Sequence, residues 1–138
     1  MSDRPTGLPE GLRRQLDEAH AGLLRVHKAL LDHERVRYER ERGRIGGPGE
    51  FLQIVINDPW FAWLHQVSEL VVRIDEITMT DAKAVEADAK TMFEQVDKLL
   101  VPSETGDTFA RRYFEALQRQ PAVVLAHGDV KRAMKSRV

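Results

Sequence analysis

Leu12, Leu16, Ala19, Leu23, Val26 and Leu30 follow one another at intervals of 4, 3, 4, 3 and 4 residues. That spacing lines them up along a single helix face. Pro9 suits the first turn of such a helix, which is predicted to run to about Arg42. A helix with one apolar stripe is stable only when the stripe is buried against other elements. The remaining segments must therefore supply helix or sheet partners for it.

Gly43-Arg44-Ile45-Gly46-Gly47-Pro48-Gly49 ends the first helix, because four glycines and a proline in seven residues sustain neither regular element. No strand precedes this run and no Gly-Lys-Ser/Thr follows it, so it reads as an interhelix turn and not a phosphate loop. Glu50–Asn57 is short and apolar, with no partner strand elsewhere, and is expected to be a short helix. Asp58-Pro59 is a restart signal, with Asp58 as cap and Pro59 at the first helical position. The following helix carries Trp60, Trp63, Val67, Leu70, Ile74 and Ile77 on one face. Phe61, Leu64, Val71 and Val72 widen that face to more than half the circumference, which marks it as the central, most buried element.

Thr78-Met79-Thr80-Asp81 offers capping side chains, and a break is expected near residue 80. A single helix over 59–100 is the alternative, since the apolar phase continues through Ala82, Val85, Ala89, Met92, Val96 and Leu99. After Val101-Pro102, Asp107 or Thr105 caps a helix that buries Phe109, Tyr113, Phe114 and Leu117. Pro121 restarts a last helix, from Ala122 to about Met134. The expected fold is all-α: one domain over 1–138, with a frayed tail at 1–8 and a four- to five-helix bundle of the up-down type.

The 138 residues include no cysteine. That excludes disulfides, Cys-ligated zinc and a thiol nucleophile. The net charge of −1 hides an uneven distribution. Residues 50–109 carry four Lys/Arg against twelve Asp/Glu, whereas 110–138 carry seven against two. An acidic middle with basic ends favours attraction between elements of one bundle or between two chains. It does not favour a nucleic-acid binder, and the basic Lys131–Arg137 stretch reads as a solvated helix end. No apolar run reaches the 18 or so residues of a membrane span. The first residues lack the apolar core of a secretory leader, so a cytoplasmic location is expected.

His65 and Glu69 lie one turn apart, but bundle metal sites built on such a pair add further ligands that this chain lacks, and no Glu-x-x-His occurs. With Glu76 they fall on the polar side of their helix and read as solvated surface. On the first helix His20, His27, Glu34 and Tyr38 lie close to the leucine stripe. On the central helix Ser68 and Asp75 sit among apolar neighbours. Polar groups on apolar faces need partners. His27, Glu34 and Asp75 are accordingly expected to join a hydrogen-bonded network across helices, the alternative being a metal or small-ligand site around the same three. Ser68 has no nucleophile context, no cofactor motif is present, and no catalytic constellation appears.

The runs Asp58-Pro59-Trp60-Phe61-Ala62-Trp63-Leu64 and Ser68-Glu69-Leu70-Val71-Val72-Arg73-Ile74-Asp75-Glu76 resemble a segment of small bacterial helical proteins of unassigned function. The resemblance implies a bacterial, cytoplasmic origin and brings no functional residue with it. The expectation for function is a non-enzymatic helical protein acting through protein–protein contacts, most simply as a homodimer.

Overall fold

A computed structural model describes residues 8–79 and 86–135. Among them are six α-helices and one 3₁₀ segment, with no strand, so the fold is all-α. In order they are α1 (Glu10–Arg42), α2 (Pro48–Asn57), the 3₁₀ segment (Pro59–Leu64), α3 (His65–Met79), α4 (Glu86–Leu99), α5 (Thr108–Arg119) and α6 (Pro121–Lys135). The tail expected at 1–8 lies outside the described residues except for Leu8, which packs on the core.

The leucine stripe forms as its spacing requires. Leu16, Ala19, Leu23, Val26 and Leu30 are all fully buried. α1 packs against α3 on one side and α6 on the other, with α4 and the 3₁₀ segment completing its surroundings. The central element is thus α1 and not the helix after Asp58. Val72, counted into the wide apolar arc of that helix, is half exposed, so the arc is narrower than its composition suggests.

α1 ends where glycine is required. Gly43 has φ of 101°, and its N–H donates to Glu39 O at 3.1 Å. A side chain there would be strained. The chain then doubles back, with Ile45 N–H donating to the Glu39 carboxylate at 2.9 Å. The charged last stretch of α1 is partly covered, and Glu34 in it is only 2% exposed.

Asp58 acts as a cap, its Oδ1 accepting from Trp60 N–H at 2.9 Å, but the turns that follow are 3₁₀ rather than α. Three residues per turn keep Trp60 and Trp63 on one side, about 6 Å apart along the axis. Trp60 meets Tyr38 of α1 edge-on at 5.5 Å, and Trp63 meets Phe109 of α5 at 5.3 Å. Phe61, turned away from both, fills the core against Tyr38 and Phe51.

α3 and α4 lie side by side, since Arg73 Nη1 donates to Gln95 Oε1 at 2.8 Å. In one continuous helix those residues would stand about 33 Å apart, so the alternative of a single helix over 59–100 is overturned. The break itself, from residue 80 to 85, lies outside the described residues. Asp107, and not Thr105, caps α5, accepting from Ala110 N–H at 2.9 Å. Phe109 and Tyr113 are buried as expected, whereas Phe114 and Leu117 are only half-buried.

Candidate functional site

Three polar stations occupy the seam where α1 meets the 3₁₀ segment and α3. At the lower end, His20 Nε2 stands 2.8 Å from Asp75 Oδ1 at the edge of solvent, a close approach that does not have hydrogen-bond geometry. At the upper end, the buried Glu34 carboxylate accepts from Trp60 Nε1 at 2.7 Å and from Arg37 Nη1 at 2.9 and 3.0 Å. Between them lies His27. Burial holds its imidazole below the usual histidine range, and the nearby His65 adds a smaller effect in the same direction.

This arrangement divides the residues expected to cooperate. Asp75 meets His20 and Glu34 meets Trp60, so the two carboxylates sit at levels 14 residues apart on α1. That is an axial separation of about 21 Å, and no single ion or small ligand reaches both. The expected network of His27, Glu34 and Asp75 is therefore corrected to separate contacts strung along one seam. Periodicity places a residue on a face, whereas the relative sliding of two helices decides which residues meet.

His65 and Glu69 also part company. His65 Nε2 lies 3.1 Å from Val55 O, tying α3 to α2, and Ser68 Oγ donates to His65 O at 3.0 Å. Glu69, one turn on, instead lines a cleft between α3, α4 and the start of α5. Among the described residues no three His, Asp or Glu side chains converge.

A second polar pair was not anticipated. The fully buried Tyr113 hydroxyl lies 2.6 Å from His127 Nδ1, joining α5 to α6. Burial raises the Tyr113 pKa, and burial followed by the Lys131 charge lowers that of His127. A tyrosine on an apolar helix face needs a partner for its hydroxyl, which is the signal that points to such a contact. Its partner is fixed only by how α5 and α6 pack. Gln15 is similar: buried on α1, it donates from Nε2 to Met134 O at 3.0 Å.

Two neighbouring cavities share Gln66 and Phe109. One, of 470 Å³, lies between the 3₁₀ segment and α5 and is lined by Trp60, Trp63, Arg37 and Arg112. Trp63 Nε1, though buried, has no hydrogen-bond partner among the described residues. The other, of 530 Å³, lies between α3, α4 and the start of α5. Such volumes are in the usual range of small-molecule sites.

No protein-family model, curated protein or solved structure matches the chain. No described helix is long and apolar enough to cross a membrane.

Proposed function

We propose that the protein acts through protein–protein contacts as a cytoplasmic, non-enzymatic homodimer of up-down bundles, with α2 at the contact face. The observation that carries this is the state of α2. It is the most apolar helix of the fold, yet none of its ten residues is buried. Leu52 and Ile56, one turn apart, are 56% and 55% exposed. Clustered apolar surface of this kind marks contact sites more than scattered single residues do.

The ridge continues below α2. Arg35 stacks over Phe51 of α2 at 4.8 Å, and Leu24 lies eleven residues earlier on the same line of α1. His65 touches Val55 of α2, and Val72 lies seven residues later on the same line of α3. Leu24 and Val72 are each about half exposed. They extend the apolar strip of Leu52 and Ile56 along the outside of the α1–α3 seam.

Sedimentation equilibrium tests the proposal. The wild-type chain is expected at twice its 15.8 kDa mass, and the variants Leu52→Glu and Ile56→Glu at the single-chain mass. Both positions are on the surface, so neither change removes core packing. A wild-type protein that sediments as one chain at about 50 μM, a concentration that saturates ordinary specific dimers, overturns it.

A further inference from the structure

The 530 Å³ cleft between α3, α4 and the start of α5 is lined, above an apolar floor, by one charge of each sign that has no ion-pair partner among the described residues. We propose that it binds a small zwitterion with an apolar substituent, of the class of the apolar α-amino acids. In this site Lys98 receives the carboxylate, Glu69 the ammonium group, and the apolar floor the side chain.

The register of the two helices places those charges. The Arg73–Gln95 hydrogen bond, 2.8 Å long, sets α3 and α4 antiparallel and closes one end of the cleft. One turn back from Arg73 on α3 is Glu69, and one turn on from Gln95 on α4 are Lys98 and Leu99. Glu69 and Lys98 therefore stand on opposite walls at one level. Both are exposed, and among the described residues neither has an ion-pair partner.

The other charged groups of the lining are already engaged. Arg73 is held by Gln95, and Asp107 caps α5 through Ala110 N–H. The lining as a whole carries two cations and two anions. A simple anion or a simple cation would thus meet one repelling wall, whereas a zwitterion is complementary to both.

The floor and far wall are preformed. Leu70 and Phe109 are 6% and 2% exposed, and Val101, 54% exposed, stands at the mouth. Ser103 N–H donates to Ala110 O at 3.1 Å, which fixes the connecting segment against α5. A floor that needs no ordering on binding keeps more of its interaction energy.

Calorimetric titration of the full chain with L-leucine and with L-phenylalanine is the test. Saturable binding at one site per chain is expected for at least one of them. N-acetyl-L-leucine, which lacks the ammonium charge, L-leucinamide, which lacks the carboxylate, and L-serine, which lacks the apolar group, are each expected to bind at least tenfold more weakly. Glu69→Gln, Lys98→Met and Val101→Glu are each expected to weaken binding of the amino acid at least tenfold. All three positions are exposed, and unchanged circular dichroism confirms folding of each variant. The proposal is overturned by no saturation with either amino acid up to about 10 mM, the limit of weak specific binding. It is equally overturned by analogues that bind as well as the amino acid, or by variants that bind as the wild type does.

Discussion

Gly22 of α1 lies directly against Val130 of α6, and replacing it with alanine tests how tightly that contact is built. A Cβ at position 22 would stand 2.7 Å from Val130 Cγ2, 3.3 Å from Val130 Cα and 3.4 Å from Val130 N. Ordinary carbon–carbon contacts begin near 3.5 Å, so the helices must part by about 0.8 Å locally. Val130 cannot rotate out of the way. It is β-branched and fully buried, and two of the three close atoms belong to its backbone.

Two terms oppose each other in Gly22→Ala. Removing a glycine from a helix interior gains about 0.5–1 kcal/mol. Overpacking a well-packed core costs about 1–3 kcal/mol. The severe contact, at 2.7 Å, is with a branched, fully buried side chain that has no room to turn aside, so the second term wins and a net loss of about 1 kcal/mol is expected. Urea denaturation followed by circular dichroism, with the m-value shared between variants, measures it. Two companions isolate the cause. In a Val130→Ala background the same substitution should cost nothing or stabilise, a coupling of about 1 kcal/mol. At Gly128 a Cβ would meet only the flexible end of Arg132, at 3.4 Å. Gly128→Ala should therefore stabilise by about 0.5–1 kcal/mol. The reasoning fails if Gly22→Ala stabilises the wild type, or if its cost is unchanged when Val130 is alanine.

Glu34→Ala strands the Trp60 indole N–H and should cost about 1–3 kcal/mol, whereas Glu34→Gln keeps an acceptor and should cost less; equal losses in denaturant would count against the bond. Asp107→Ala removes the α5 cap and should cost about 0.5–2 kcal/mol, and a midpoint indistinguishable from wild type would reject the cap. His27, His33 and His127 all have pKa values lowered from 6.5, chiefly by burial. The unfolded chain then takes up protons first, so stability is expected to be level above about pH 7 and to fall as pH drops through 6.5. Urea midpoints measured from pH 8 to 5 check this, and a midpoint that holds or rises on acidification refutes it.

Local signals carried most of the fold. The 4-3 spacing marked five residues of α1 that are fully buried, and Asp58, Asp107 and Pro121 bound helices because caps and prolines act within a few residues of themselves. What depends on distant packing was not readable in this way. Glu34 is buried where Trp60 of the 3₁₀ segment meets α1 and Arg37 folds onto its carboxylate. Val72 is half exposed because α1 and α4 cover the other sides of α3. The seam shows the boundary most clearly. Its polar residues were found by face, but their pairing required the axial register between helices, and that register matches Asp75 with His20 instead of His27.

That register is held from both flanks of α1. On the side of the 3₁₀ segment and α3, Glu34–Trp60 is a hydrogen bond and His20–Asp75 a close approach, at levels about 21 Å apart along α1. On the α6 side, Gln15 bonds to Met134 O and Gly22 admits Val130, so sliding by one turn would break a buried hydrogen bond and drive a side chain into backbone. Polar pairs in such positions select one alignment even where they add little net stability. The core around α1 is consequently the least adaptable part of the molecule. The surfaces able to meet a partner or ligand without disturbing it are exposed ones, namely the outer face of α2 with the exposed rim of the α1–α3 seam below it, and the α3–α4–α5 cleft. Both proposed contacts fall there, and each can be altered by substitution at exposed residues without loosening the alignment that positions it.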